Sequence, residues 1–214
     1  MDKDKIISKD RIHLKQLIEQ EVELNGNNCD LNHIDTSLIT DMSYLFSTSQ
    51  FNGDISKWNT FNVKNMNYMF YLSKFNNDIS QWNVSNVENM NHMFFYSDFT
   101  GDISKWDTSE VIDMSNMFQS SKFNGDISQW NTSNAKSMHK MFFDCLFNKD
   151  LSNWRPLNLI FIKETFSDCL APVPYWTKIE DTQERKNAIE TYQCKKALES
   201  NIVNNQLIEK KFKI

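Results

Sequence analysis

Glycine and proline are scarce, four and three in 214 residues. That leaves no flexible or proline-rich linker, so one folded domain is expected rather than two on a tether. No apolar run approaches the roughly 20 residues that cross a bilayer, and the opening MDKDKIISKD lacks the apolar core of a signal peptide. The expectation is a soluble cytoplasmic chain with no membrane partner. The net charge is -5 and no basic stripe carries interleaved aromatics, which argues against direct nucleic-acid binding. The four cysteines form no CxxC and no Cys/His cluster, so no zinc site is expected. There is no HExxH, no phosphate-cradling glycine loop and no Ser/His/Asp arrangement. His13 and His33 lie near the start, while His92 and His139 fall at different positions of the repeat described next. A non-enzyme is therefore expected, with no catalytic residue, cofactor or metal.

What is present is a tryptophan that returns every 24 residues, at Trp58, Trp82, Trp106, Trp130 and Trp154. Phe51, Phe75, Phe99, Phe123 and Phe147 keep the same interval, as do Met42, Met66, Met90, Met114 and Met138. One unit reads FNGDISKWNTFNVKNMNYMFYLSK. Such a unit is too short to enclose its own Phe, Ile, Trp, Val and Met, so successive units must stack. The expected architecture is an α/β solenoid with 24-residue coils, each holding one short parallel strand and one short helix. Asp54–Trp58 alternates and is assigned to the strand. Val63, Met66, Met69 and Phe70 have the spacing of a helical turn or two. The polar residues between them supply turns and caps.

Both ends depart from the repeat. Leu14, Leu17, Ile18 and Val22 follow a helical period that Asn25-Gly26 stops. A helical cap is expected over 1–29, repeats over 30–169 and a second helical cap over 170–214. The first coil is degenerate, with Ile34 in the tryptophan position. After Trp154 the pattern decays through Arg155-Pro156-Leu157, and Pro172 and Pro174 break the chain direction.

The units FNGDISKWNTFNVKNMNYMF, FTGDISKWDTSEVIDMSNMF and FNGDISQWNTSNAKSMHKMF resemble the BspA-like leucine-rich-repeat family, also called DUF285 or the bacterial surface protein repeat. That family occurs in mycoplasma lipoproteins, bacterial surface proteins and some phage or viral proteins. The resemblance spans about Asp30 to Phe166. It implies a right-handed leucine-rich-repeat-like solenoid and a role in protein recognition, and it brings no catalytic residues. Phe61 departs from the pattern, standing where Ser85, Ser109 and Ser133 occupy the same turn.

Several columns admit a sharp and a bland reading. Asp54, Asp78, Asp102, Asp126 and Asp150 could line up as cation ligands, but one carboxylate per coil and at most one Gly favour caps on the local backbone. Cys145 and Cys169 are one repeat apart in a column otherwise filled by Ser49, Ser73, Ser97 and Ser121. A disulfide is geometrically feasible, and the lack of an export signal favours two reduced thiols. Tyr71, Phe95 and Phe143 share a column, with Tyr96 next to Phe95 and Tyr68 and His92 nearby. These residues, with Phe61 at a separate spot, are the candidate protein-binding surface, and a lid over the Phe column is the alternative. The leading function is a rigid, non-enzymatic protein-binding module, an inhibitor or adaptor for an unidentified protein, monomeric or weakly self-associating. The alternatives are a structural or surface-array protein and an acidic nucleic-acid mimic that fills a basic protein groove.

Overall fold

The computed structural model describes residues 5–211, with side chains described through 203. The outermost parts of the two expected caps, 1–4 and 212–214, lie outside the described residues. Strand β1 (Ile6–Ile7) pairs in parallel with β2 (Ile34–Asp35). Helix α1 (Arg11–Asn25) lies between them in sequence. Asp10 caps α1 by accepting the His13 N–H at 2.9 Å, satisfying one of the amides that a helix start leaves unpaired. Gly26 ends the helix at φ 82°, its N–H returning to the Val22 carbonyl. Leu14 and Ile18 point into the same buried cluster as Leu31 and Ile34.

The α/β class and the leucine-rich-repeat solenoid need correcting. Among the described residues, the only regular elements besides β1, β2 and α1 are a 3-10 turn at Tyr175–Lys178 and helix α2 (Thr182–Lys211). The single sheet has two strands and is neither closed nor curled. Apart from β2 in the first, the units contain neither a strand nor a helix: they are chains of turns joined by isolated parallel bridges.

The stretch assigned to a strand is folded by its own side chains. Asp54 accepts the Ser56 N–H at 2.9 Å, and the Trp58 N–H returns to the Ile55 carbonyl at 3.2 Å. Two tight turns in five residues leave no extended backbone. The stretch assigned to a helix fails for a different reason. Tyr68 and Leu72 have φ of 57° and 53°, in the left-handed region, and the same two columns are left-handed from Tyr44 and Thr48 to Glu164 and Asp168. One such residue every four ends any right-handed helix.

These turns bond to the neighbouring unit instead. The N–H groups of Met66, Tyr68, Phe70 and Leu72 donate to the carbonyls of Asn89, Asn91, Met93 and Phe95 at 2.8 to 2.9 Å. The pattern recurs from unit to unit, and bridges link Asp41, Asn65, Asn89, Asp113, Ser137 and Phe161 in one line. Between the ladders the interior is filled by Met, Phe, Ile, Val and Trp. The ring of Phe46 stacks on Phe70, then Phe94, Phe118, Phe142 and Phe166, with centroids 5.3 to 5.7 Å apart.

Each tryptophan of the repeat is buried and tied to the unit before it. The indole N–H of Trp82 donates to the Ile55 carbonyl at 3.1 Å and that of Trp106 to Ile79 at 3.2 Å, with Trp58, Trp130 and Trp154 repeating the bond. A Phe would lose that bond between units and leave the carbonyl only its backbone partner, such as the Trp58 N–H on Ile55. Gly53 is needed where it stands, because a Cβ there would meet the Cys29 carbonyl oxygen at 1.9 Å.

At the far end Trp176 is fully buried and meets Phe166 edge-on at 6.2 Å. Arg185 of α2 is also buried. Its guanidinium donates to the carbonyls of Leu159, Ile179 and Glu180, so the charged group satisfies backbone that the last unit and the turn leave open. Ile189 follows Arg185 into the core, whereas Leu198, Ile202 and Val203 are exposed.

Candidate recognition surface

Within each unit, inward and outward side chains alternate in pairs. Met66, Met69, Phe70 and Ser73 are buried, while Asn67, Tyr68, Tyr71 and Leu72 are partly or fully exposed. The left-handed turns at Tyr68 and Leu72 hold those side chains outward. Since the next unit sits directly alongside, aromatic residues in one outward column stack face to face. Tyr44 lies on Tyr68 at 4.7 Å and 6°, and Tyr68 lies on His92 at 4.4 Å and 8°. In the neighbouring column Tyr71 stacks on Phe95 at 4.9 Å, and Tyr71 and Phe95 also tilt against His92.

Five rings therefore form one patch over three consecutive units. Their faces are shared with one another and their edges reach solvent: Tyr44 is 47% exposed, whereas Tyr68, Tyr71, His92 and Phe95 are half-buried. Tyr96 adds a freely exposed ring at 63%. Burial among the rings raises the Tyr68 pKa above its ordinary value. Burial lowers that of His92, opposed by Asp113. His92 Nδ1 contacts the side-chain oxygen of Asn91, whose amide donates to Asp113 at 3.2 Å. Beside the rings lie the amide of Asn91 and the carboxylate of Asp113.

The structure thus gathers Tyr68, Tyr71, His92 and Phe95 of the expected surface. Phe143 is separated from Phe95 by Gln119 in the same column, and its ring instead lies under Lys140 Nζ at 5.0 Å. Phe61 is 52% exposed at the tip of the Asn59 turn, where its N–H donates to Asn59 at 3.1 Å. Tyr44 is the member that sequence reading missed. It lies 24 residues before Tyr68, but the first unit is degenerate and lacks its tryptophan.

The other columns mostly serve the backbone. Asp78, Asp102, Asp126 and Asp150 each accept the N–H two residues ahead at 2.8 to 2.9 Å, as Asp54 does. Asn62, Asn86, Asn134 and Asn158 donate back to a carbonyl of the preceding unit. Among the described residues no three His, Cys, Asp or Glu side chains are placed to hold a metal ion. An open groove of about 890 Å³ lies beside the last ladder rungs, lined by Ser115, His139, Phe161, Lys163 and Thr177 among others. His139 there bonds the Lys163 carbonyl at 2.9 Å. No described helix is long and apolar enough to cross a membrane.

Comparison with known proteins gives a family model described as "Mycoplasma protein of unknown function, DUF285", matched by residues 13–121 and again by 95–205. No curated protein and no solved structure matches the chain. The two overlapping matches cover most of the sequence and bracket all the tryptophans of the repeat, so the chain belongs to the DUF285 family.

Proposed function

We propose that this chain is a rigid, non-enzymatic protein-binding module, an adaptor or inhibitor whose contact surface is the patch of Tyr44, Tyr68, Tyr71, His92, Phe95 and Tyr96. The observation that carries the reading is the patch's limited extent. The inner Phe column continues through all six units, whereas the outer aromatic column gives way to Asn116, Lys140 and Glu164. Stacking of units therefore does not require outer aromatics. Rings already packed on one another lose little freedom on binding and offer a large contact area, as is typical of interface anchors. Four cysteines without a disulfide support placement in a reducing compartment, the cytoplasm.

The test compares wild-type protein with Tyr71→Ala/Phe95→Ala as baits in the source cell. A partner held by the wild type alone, with affinity falling by roughly 2 kcal/mol or more on the double substitution, supports the reading. Equal affinity together with a large loss of folding stability would leave these rings as packing.

A further inference from the structure

Cys145 and Cys169 stand in adjacent units with their sulfurs 3.6 Å apart. Both are free thiols. We infer that they form an oxidisable dithiol, a modification site at which a hydroperoxide closes a disulfide between the last two units. The inference is independent of the proposed binding surface.

The backbone already holds the pair in register. Phe142 donates to the Thr165 carbonyl at 2.9 Å and Asp144 to that of Ser167 at 3.1 Å. The sulfurs need approach only from 3.6 Å to the ~2.05 Å of a bond, a distance that side-chain rotation covers. The two thiols are not equivalent. Cys145 is buried, 5% exposed, and Cys169 is open to solvent in part. The Cys145 thiol and the backbone N–H groups of Ala171 and Leu170 favour a thiolate at Cys169 and bring its pKa down to about 7. Cys145, bonded to its neighbour and desolvated, is pushed up.

That asymmetry assigns the order of events. The Cys169 thiolate attacks a peroxide oxygen, the O–O bond breaks, and the alkoxide leaves and takes up a proton. Cys169 is now a sulfenic acid. The Cys145 sulfur then attacks the Cys169 sulfur, and the displaced hydroxide leaves as water with the Cys145 proton. Two thiols and one hydroperoxide give one disulfide, one alcohol and one water.

The location gives the bond a mechanical consequence. Along this column, Lys74 donates to the Ser49 carbonyl at 3.0 Å, Asp98 to Ser73 at 3.1 Å and Lys122 to Ser97 at 3.3 Å. The corresponding bonds from Leu146 and Leu170 are not formed among the described residues. The disulfide therefore ties the units together where the backbone tie has stopped.

Reduced full-length protein treated with hydrogen peroxide, then alkylated and mapped without reductant, tests the assignment. The expected product has lost two hydrogens and yields a linked Cys145–Cys169 peptide, with Cys29 and Cys194 still alkylated. In Cys145→Ser, Cys169 should accumulate as a sulfenic acid trapped by dimedone. It should be trapped there while exposed Cys194 stays alkylatable, because the thiolate is the form that attacks the peroxide. In Cys169→Ser no sulfenic acid should form at Cys145. Serine fills this column in four other units, so both variants suit the fold. Oxidation of Cys194 or Cys29 while Cys145 and Cys169 both remain alkylatable would overturn the inference. So would unchanged oxidation of Cys145 in Cys169→Ser. The wild-type peptide map decides without either variant.

Discussion

The inner and outer faces of the repeat use the same kind of contact in the same register, yet they differ in extent. Inside, Phe46, Phe70, Phe94, Phe118, Phe142 and Phe166 stack without interruption, and all but the last are fully buried. Outside, Tyr44, Tyr68 and His92 stack just as closely, but the column then turns polar. An interior column must continue because a gap would leave a cavity beside two neighbours. An exterior column is under no such requirement. Its aromatics are the feature on which the proposed contact surface rests.

The largest expected effect probes the inner face. Trp106 is 3% exposed and stacks on Trp130 at 6.4 Å. Trp106→Ala removes the ring and the donor to the Ile79 carbonyl, and a loss of roughly 3 to 5 kcal/mol in denaturant unfolding is expected. A loss below about 1 kcal/mol would mean that units tolerate a gap, and the contrast between the faces would collapse. Tyr71→Ala with Phe95→Ala sharpens the same contrast from outside, with an expected folding loss of no more than about 1 kcal/mol per ring, since both are half-buried.

Removing residues 1–26 asks whether the first unit can end the stack unaided. Leu14 and Ile18 would no longer cover Leu31 and Ile34, and β2 would lose its partner β1. Concentration-dependent association by light scattering is the expected outcome. A truncated chain that stays monomeric and unfolds at the same midpoint would refute a covering role for α1.

Acid tests the turns that join the faces. Backbone N–H groups hold Asp54, Asp102 and Asp126 below the ordinary carboxylate pKa, and Ser152 does the same for Asp150, chiefly through its hydroxyl. A carboxyl lowered in the folded state stabilises above its unfolded pKa, and that contribution is lost as pH falls through the folded value. The unfolding midpoint should therefore drop below about pH 4. Asn fills equivalent turns, as at Asn83 and Asn131. Replacing these four Asp by Asn should keep the fold and flatten the acid dependence. An equally steep decline in that variant would place the acid sensitivity elsewhere.

The interval of 24 residues, the buried columns and the Asp caps were legible from residue spacing. The local backbone was not, and the reason is specific. Buried positions 66, 69, 70 and 73 have the i, i+3, i+4, i+7 spacing of an amphipathic helix. Paired turns with a left-handed residue every four point side chains inward at the same intervals, so periodicity cannot separate the two. Glycine or asparagine usually signals a left-handed residue, but here Tyr, Leu, His, Ser, Lys, Asp, Glu and Thr hold most of those positions. The aromatic patch was half legible: the columns named its rings, but whether they would meet face to face depended on that same hidden backbone.

Those left-handed residues lead to the smallest effect. Ser120 sits at φ 51°, and its N–H donates to the Phe143 carbonyl at 2.9 Å. A side chain in this region carries a strain of roughly 1 kcal/mol that glycine does not. Ser120→Gly keeps the ladder bond and gives up only an exposed hydroxyl contact to Asp144. It should therefore be neutral or stabilising by up to about 1 kcal/mol. Ser133 is the control, because it is absent from the left-handed set and its N–H bonds Asn131 at 3.1 Å. Ser133→Gly frees the unfolded chain without relieving strain, and it should destabilise by about 0.5 to 1 kcal/mol. Urea unfolding of the two variants gives the answer by sign. If both lose stability equally, Ser120 carries no left-handed strain for glycine to relieve.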